Sequence, residues 1–600
     1  MGEGSRQVEV VIELLPVPRS LVLRDGAFVL PRNGVVGTVA PPRLCQALER
    51  ATGGRWSIGG DGVIALALDR ALPAQGYRLS VHPSGVSIVG GDPAGVFYGA
   101  CTFAQLVEVH GTRIPCVEIE DHPDLLVRGV MLDVSRDKVP TMATLRALID
   151  LLASWKINQF QLYLEHTFAY RAHPEVSAAA SPITAAEIVE LDAYCRERFV
   201  ELVPNQNSFG HFERWFTHDR YRSLAETEGG IELPWGEITK HPFTLAPSAE
   251  AIELLDGLYG ELLPNFTSAQ FNVGCDETYD LGLGRSRARV EEVGRPRVWL
   301  DFVREIHALA GRHGRSIQVW GDTVRRHREL FADLPRDITI LDWGYDRERS
   351  LDQTAERLAA AGQPFYLCPG TSSWTSLTGR TDNAVANILD AVQVAHRHRA
   401  AGVLVTDWGD GGHWQQLPIS YLGFAWTAAL AWSLDANRTL DLPRALDRFA
   451  FRTTGLGQIA WDLGNTYLKP GFRRGNSSIL YWLYTATLAE MRSSWLPRIK
   501  YGPEVFLDDA AVQRGMHESI EWVDATLSTL SRVDNELLRR EFAHAGAMAR
   551  HAARRVLGTD GLDAELDAIA DELVALWPLR NRPGGLQDSV GTLRASRAFF

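Results

Sequence analysis

Arg128-Gly129-Val130-Met131-Leu132-Asp133-Val134-Ser135-Arg136 is an apolar run that closes on an acid, a hydroxyl and a base. It is the first of eight such runs. The others cover 159–164, 201–206, 268–275, 316–322, 338–344, 364–370 and 402–408. Helical periodicity fills the intervals, clearest at 141–156, 184–199, 249–263, 297–314 and 383–399. Short apolar strands, each followed by an amphipathic helix, predict parallel strands joined by crossovers. Eight in strict β-then-α order predict an α/β fold of the (β/α)8 TIM-barrel type. An open doubly wound sheet is the alternative, but no Gly-rich phosphate loop follows any strand. The interval from 206 to 249 reads as an insertion on the active-site side.

Upstream, short strands alternate with turns. Residues 76–81 and 85–89 flank His82-Pro83-Ser84 as a hairpin, and helical periodicity runs over 94–109. Downstream of about Asp435 the strand signals vanish, and helical periodicity appears near 478–495, 509–532, 534–556 and 561–576. The expected division is an N-terminal α+β domain over 1–122, a catalytic barrel over 123–435 and a helical C-terminal region over 436–600.

Six hundred residues with 45% hydrophobic content can bury several cores. The net charge of −13, from 74 acids against 61 bases, argues against a nucleic-acid partner. The six cysteines are scattered, with no CxxC and no Cys/His ligand spacing, so neither a disulfide framework nor a zinc site is expected. No run reaches the length of a membrane span, and the first residues carry no basic-then-apolar leader pattern. The expectation is a soluble, cytoplasmic protein with no membrane partner, no metal and no cofactor.

In such barrels the chemistry sits where the strands end. The fourth run, Phe271-Asn272-Val273-Gly274-Cys275-Asp276-Glu277-Thr278, ends in two adjacent carboxylates. Buried together, adjacent acids raise one pKa and keep one proton near neutral pH, which is how a general acid is made. Neighbouring acids are badly placed to attack a sugar from opposite faces, so the pair suits a substrate that brings its own nucleophile. An isolated Asp-Glu is ordinarily a solvated strand end; the other ends argue against that here. Arg136, Glu165-His166, Gly210-His211, Trp320-Gly321-Asp322, Asp342-Trp343-Gly344-Tyr345, Trp374 and Trp408-Gly409-Asp410 follow the remaining runs. Each Trp alone is commonly core and each His alone commonly structural. Recurring at one end of successive strands, they describe a carbohydrate pocket, with aromatic faces for a ring and polar forks for hydroxyls.

At these residues the chain resembles glycoside hydrolase family 20, the β-N-acetylhexosaminidases. The 128–136 run resembles the family's first-strand motif, whose last Arg holds hydroxyls of the terminal sugar. Asp276-Glu277 resembles its catalytic pair and Gly210-His211 its Pro-Gly-His turn. Trp320, Trp343 and Trp408 fall where the family walls the N-acetyl group, and Gly95-Val96-Phe97-Tyr98-Gly99 resembles its small preceding domain. The resemblance covers about 10–435. It implies an exo-acting, retaining enzyme in which Asp276 polarises the 2-acetamido group and Glu277 is acid and base. Arg136, Glu165, His166, His211, Trp320, Trp343, Tyr345, Trp374, Trp408 and Asp410 would bind the sugar.

Three positions depart from the family pattern. Glu165-His166 stands for an Asp pair, Asp410 for a Glu, and Cys275 for a Gly. The first two bear on the choice between gluco and galacto configuration. The tyrosine that meets the acetamido oxygen is left open between Tyr345, Tyr366 and a substitute from the Trp374 loop. The expected partner is an oligosaccharide with a terminal N-acetylhexosamine, and a homodimer is entertained. The competing readings are a barrel glycosidase for a different amino sugar and a non-catalytic glycan-binding protein.

Overall fold

The computed structural model describes residues 12–37, 42–60, 62–233, 238–471, 475–486 and 510–599. They form two compact units: 1–124 with 154–156 and 428–452, and 125–153 with 157–427 and 453–600. Residues 428–452, which the sequence reading divides between barrel and C-terminal region, cluster with the first unit.

The first unit is built on a seven-stranded mixed sheet. Its strands are β1 (Ser20–Val29), β2 (Gly34–Val36), β3 (Trp56–Ile58), β4 (Ile64–Leu68), β5 (Tyr77–His82), β6 (Gly85–Gly90) and β7 (Arg113–Asp121), in the order β1-β7-β5-β6-β4-β2-β3. The hairpin β5–β6 pairs antiparallel in the register Tyr77↔Gly90 to His82↔Gly85. The helix Pro93–His110 starts where Asp92 accepts the Gly95 N–H and Pro93 supplies a preset φ, and it buries the apolar stretch 95–107. A second helix, Pro42–Thr52, was not expected.

The second unit holds eight parallel strands: β8 (Val127–Asp133), β9 (Gln159–Tyr163), β10 (Glu201–Val203), β11 (Gln270–Asn272), β12 (Ser316–Trp320), β13 (Thr339–Trp343), β14 (Phe365–Cys368) and β15 (Gly402–Asp407). They run in the order β10-β9-β8-β15-β14-β13-β12-β11. A parallel bridge between Asn205 and Asn272 joins the two ends, so the sheet curls into a nearly closed barrel. The chain is a TIM barrel with an N-terminal domain and a helical C-terminal region. Its helices include Met142–Ser154, Ala185–Arg196, Ala249–Leu262, Arg295–Arg312 and Thr381–His398, with Asp352–Ala360 unforeseen. The 206–249 insertion carries two short helices, Glu213–Phe216 and Asp219–Arg222.

Inside the barrel, side-chain amides share the interior with a hydrophobic cluster that includes Met131, Leu341, Cys368 and Leu404. Gln161 donates to Gln318 at 2.8 Å, Gln318 to Gln270 at 2.6 Å, and Asn272 to Gln161 at 3.0 Å. Each of these amides thereby finds a partner, as buried polar groups do.

Helices at Ala510–Leu527, Glu536–Leu557, Leu562–Arg580 and Leu586–Ala595 form the C-terminal region. The helix expected over 478–495 is seen as the single turn Ile479–Trp482, and 487–509 lie outside the described residues. Among the described residues no helix is long and apolar enough to cross a membrane.

Candidate active site

The strand carrying the acid pair stops earlier than its hydrophobicity suggests. β11 ends at Asn272, because Gly274 and Cys275 both have φ of 69° and Glu277 has φ of 51°. Left-handed backbone at non-glycine residues is strained, and it concentrates at sites that need a side chain aimed against the chain's preference. At Gly274 a Cβ would collide with the Asn207 amide, so glycine is required there. At Gly210 a Cβ would strike the Asp276 carbonyl, and that close approach sets His211 against the acids.

His211 is the hub. Its Nε2 lies 3.3 Å from Asp276 Oδ2 and 3.6 Å from Glu277 Oε2, and its Nδ1 lies 3.6 Å from Glu165 Oε1. Burial is the largest single influence and depresses this imidazole, but the charge and hydrogen bond of Asp276 together with the charge of Glu165 raise the pKa to about 9. Glu277 is pushed above the usual carboxylate range, first by burial; His211 opposes the rise and Asp276 adds to it. The sequence argument located the raised acid by its neighbour, whereas desolvation is the larger cause. Tyr279 donates to Glu277 Oε1 at 2.7 Å, and the Glu277 N–H points to Asp322 Oδ2 at 3.4 Å. Asp322 is raised to about 7 by burial and then by Asp276 and Glu277.

Arg136 organises the opposite side. Its guanidinium meets Asp133 at 3.1 Å, Glu165 at 3.2 Å and Asp410 at 3.6 Å, and it lies 4.8 Å from the Tyr163 ring centroid and 5.2 Å from that of Trp408. Tyr163 in turn donates to Glu165 at 2.9 Å. Asp410 sits on a turn that the C-terminal region braces: Tyr481 donates to the Gly411 carbonyl at 2.9 Å and Ser589 to that of Gly412 at 2.6 Å.

Aromatic residues wall the space between. Trp320 and Trp408 lie 5.8 Å apart, Trp343 stacks on Tyr345 at 5.2 Å, and Trp408 donates from Nε1 to the Tyr345 hydroxyl at 2.9 Å. Trp374 packs edge-on behind Tyr345 at 5.1 Å, so it supports the wall. Tyr366 points elsewhere: its hydroxyl meets Gln159 and Gln270, the first residues of β9 and β11, at the far end of the barrel. His166 is buried beside the group and lowered to about 3, by burial and then by Arg214 and Arg136. Among the described residues no hydrogen bond or ion pair ties it to the cluster. Sequence reasoning passed over Tyr279, which sits two residues beyond the acids with no pattern to announce it. It gave no role to Tyr163 or to Asp322, although both stand at strand ends.

The His211, Asp276 and Glu277 ligand atoms lie within 4.8 Å of one another, close enough for a shared cation. The neighbouring carboxylates that raise this imidazole to about 9 also pair with it, so the trio reads as an ion-paired cluster.

Residues 127–411 match the model of the glycosyl hydrolase family 20 catalytic domain, and residues 11–122 match that family's domain 2. A β-hexosaminidase of Akkermansia muciniphila is 30% identical over 355 residues, 49% of this chain and 71% of that protein. The chain belongs to glycoside hydrolase family 20.

A family relative from Porphyromonas gingivalis, also a β-hexosaminidase, is 24% identical over 57% of this chain, which spans 49% of that protein. Among solved family 20 structures, an exo-β-N-acetylglucosaminidase from Vibrio harveyi in complex with N-acetylglucosamine superposes with a TM-score of 0.61 at 18% identity, covering 75% of this chain and 78% of its own. A Flavobacterium johnsoniae chitobiase gives 0.60 at 16% identity over 97% and 99%. At these identities the likeness concerns the fold. In the barrel, Glu165 bridges Arg136 and His211, and Asp410 lies 3.6 Å from the Arg136 Nε.

Proposed function

We propose that the chain is an exo-acting, retaining β-N-acetylhexosaminidase that removes terminal β-linked N-acetylhexosamine by substrate-assisted catalysis. The observation that carries this reading is Asp276: Oδ2 is engaged by His211, while Oδ1 is buried and meets no protein donor, beside an acid held ready to protonate. A buried carboxylate oxygen without a donor is costly, and a substrate amide N–H would satisfy it. The Nε1 atoms of Trp320 and Trp343 are likewise buried without an acceptor, which suits walls that meet a polar group.

In the first step the acetamido carbonyl oxygen bonds to C1, the glycosidic C1–O bond breaks, and Glu277 gives its proton to the departing oxygen. Asp276 holds the amide N–H and offsets the charge on the oxazolinium. In the second step Glu277 takes a proton from water, whose oxygen bonds to C1 as the ring reopens. Two displacements at C1 retain the anomeric configuration. Tyr345 is our choice for the partner of the acetamido oxygen, since its hydroxyl accepts from Trp408 and so keeps its own hydrogen to donate. Arg136, Asp133, Glu165 and Asp410 close the far side of the pocket, which admits a chain end only.

A panel of aryl β-glycosides tests this. The N-acetylglucosaminide should be hydrolysed and the glucoside and glucosaminide resist, since neither has a carbonyl to attack C1. Some N-acetylgalactosaminide activity is expected because the short Asp410 leaves room for an axial hydroxyl. Equal rates on the glucoside would overturn the substrate-assisted reading.

A further inference from the structure

The turn that carries Asp410 is strained, and the barrel holds it at its ends. Gly411, Gly412 and His413 follow one another with φ of 72°, 98° and 52°. Left-handed backbone at a residue such as His413 persists where the surroundings over-determine it. On the barrel side, the Gly409 N–H donates to Asp133 Oδ2 at 2.9 Å, and His413 Nδ1 meets the Arg136 carbonyl at 2.9 Å. Asp410, between these anchors, adds little: its carboxylate is 42% exposed and stands 3.6 Å from Arg136 Nε.

The middle of the turn is held from outside the barrel. Among the described residues, the hydrogen bonds that reach the backbone of 410–412 come from two hydroxyls, Tyr481 on the Gly411 carbonyl and Ser589 on that of Gly412. Both donors are buried. A Cβ at Gly411 would fall on the Tyr481 hydroxyl, so the tyrosine lies directly against the turn. Trp414 closes the arrangement: its Nε1 donates to the Ser589 carbonyl at 3.0 Å, and its ring lies 5.5 Å from that of Tyr481. Tyr481 sits on the short helix Ile479–Trp482 and Ser589 on the helix Leu586–Ala595, both downstream of the family 20 catalytic domain.

We propose that Tyr481 and Ser589 are positioning residues: through them the C-terminal helical region sets the place of Asp410, and with it the choice between an equatorial and an axial O4 on the terminal sugar. The inference rests on the hexosaminidase reading, in which Asp410 faces the distal hydroxyls. An aspartate has little reach of its own, so the position of its backbone decides which hydroxyl it meets. Releasing the two carbonyls lets the turn relax toward less strained backbone and moves the carboxylate relative to Arg136.

The test compares kcat/KM of the full chain on the aryl N-acetylglucosaminide and N-acetylgalactosaminide, a ratio that does not depend on how much enzyme is folded. The wild type should favour the N-acetylglucosaminide. In the Y481F/S589A double variant the ratio should fall about threefold to tenfold, the worth of lost hydrogen bonds. KM for the N-acetylglucosaminide should carry the change, with kcat kept within about twofold, as for lost uniform binding. Y484F is the control, because the Tyr484 hydroxyl donates to the Met548 carbonyl at 2.9 Å inside the C-terminal region, and it should leave the ratio unchanged. D410A should shift the ratio by itself, and Y481F/S589A added to it should shift it no further, since the two hydroxyls act through that one carboxylate. A wild-type ratio in Y481F/S589A, an equal shift in Y484F or a further shift on top of D410A would each overturn the inference and leave the hexosaminidase reading standing. A wild type with no preference, or a D410A variant with the wild-type ratio, would overturn it as well, by removing the selection that the turn is said to set. Hydrolysis of neither glycoside by the wild type would overturn both the inference and the hexosaminidase reading.

Discussion

Two buried ionic clusters in this chain look alike in composition and differ in what they leave undone. In the first unit, Asp121 receives the Tyr77 hydroxyl at 2.7 Å, the Trp432 indole N–H at 2.8 Å and the Arg19 backbone N–H at 3.0 Å, with the Lys156 ammonium 3.6 Å away. Lys156 also sits 4.5 Å from the centroid of the Trp432 ring. Both carboxylate oxygens are engaged, and the aromatic rings serve the charges. In the barrel, Asp276 keeps a buried oxygen without a donor, the indole N–H groups of Trp320, Trp343 and Trp374 lack acceptors, and three carboxylates crowd one imidazole. A fully satisfied buried cluster holds structure, and a partly satisfied one is costly unless something else completes it. The difference separates a structural knot from a site better than composition does, since both contain Asp, Tyr, Trp and a cation.

The comparison breaks if chemistry and stability respond the same way in both clusters. The largest effect belongs to Glu277→Gln, which should cut turnover by roughly two to four orders of magnitude, the worth of a positioned proton donor, in steady-state assays of the N-acetylglucosaminide. A leaving group that needs no proton should lose less. Asp276→Asn should lower turnover and weaken a thiazoline inhibitor far more than one lacking the acetamide; equal loss would mean that Asp276 does not serve the amide. Lys156→Met should do the reverse of both. It strands the Asp121 charge and should cost about 3–5 kcal/mol in denaturant unfolding, with kcat of the folded fraction retained.

Smaller effects sharpen the contrast through pH. His211 has a folded pKa of about 9, above its ordinary 6.5. Its stabilisation is therefore present in full below pH 6.5 and is lost as pH rises through 9. Unfolding curves across that window should show stability falling, and Asp276→Asn should flatten the slope because it removes the main raising charge. Smallest is Tyr279→Phe. The Tyr279 hydroxyl stabilises ionised Glu277, so losing it should move the alkaline limb of kcat to higher pH. A shift to lower pH would contradict the hydrogen bond's role.

Much of the barrel was legible before any coordinates, because strand and helix periodicities are local properties of the chain. Eight runs and the strict alternation sufficed for the fold class, and the rule that chemistry gathers at strand ends brought Arg136, Glu165, His211, Trp320, Trp343, Trp408 and Asp410 to one mouth. Strand lengths were overread at β11, where two left-handed residues end a stretch that is apolar enough to continue.

Residue types and their order along the chain, then, were enough to name the fold, the acid pair and the polar ends. Tertiary structure alone decided which side chains face one another and how far each is desolvated. It turned Tyr366 to the interior amides and Tyr345 to Trp408, left His166 outside the hydrogen-bonded cluster, and put burial ahead of the neighbouring carboxylate in raising Glu277. The reason is physical: periodicity reads out from neighbours in sequence, whereas desolvation and charge pairing depend on distances through space that only the closed barrel establishes.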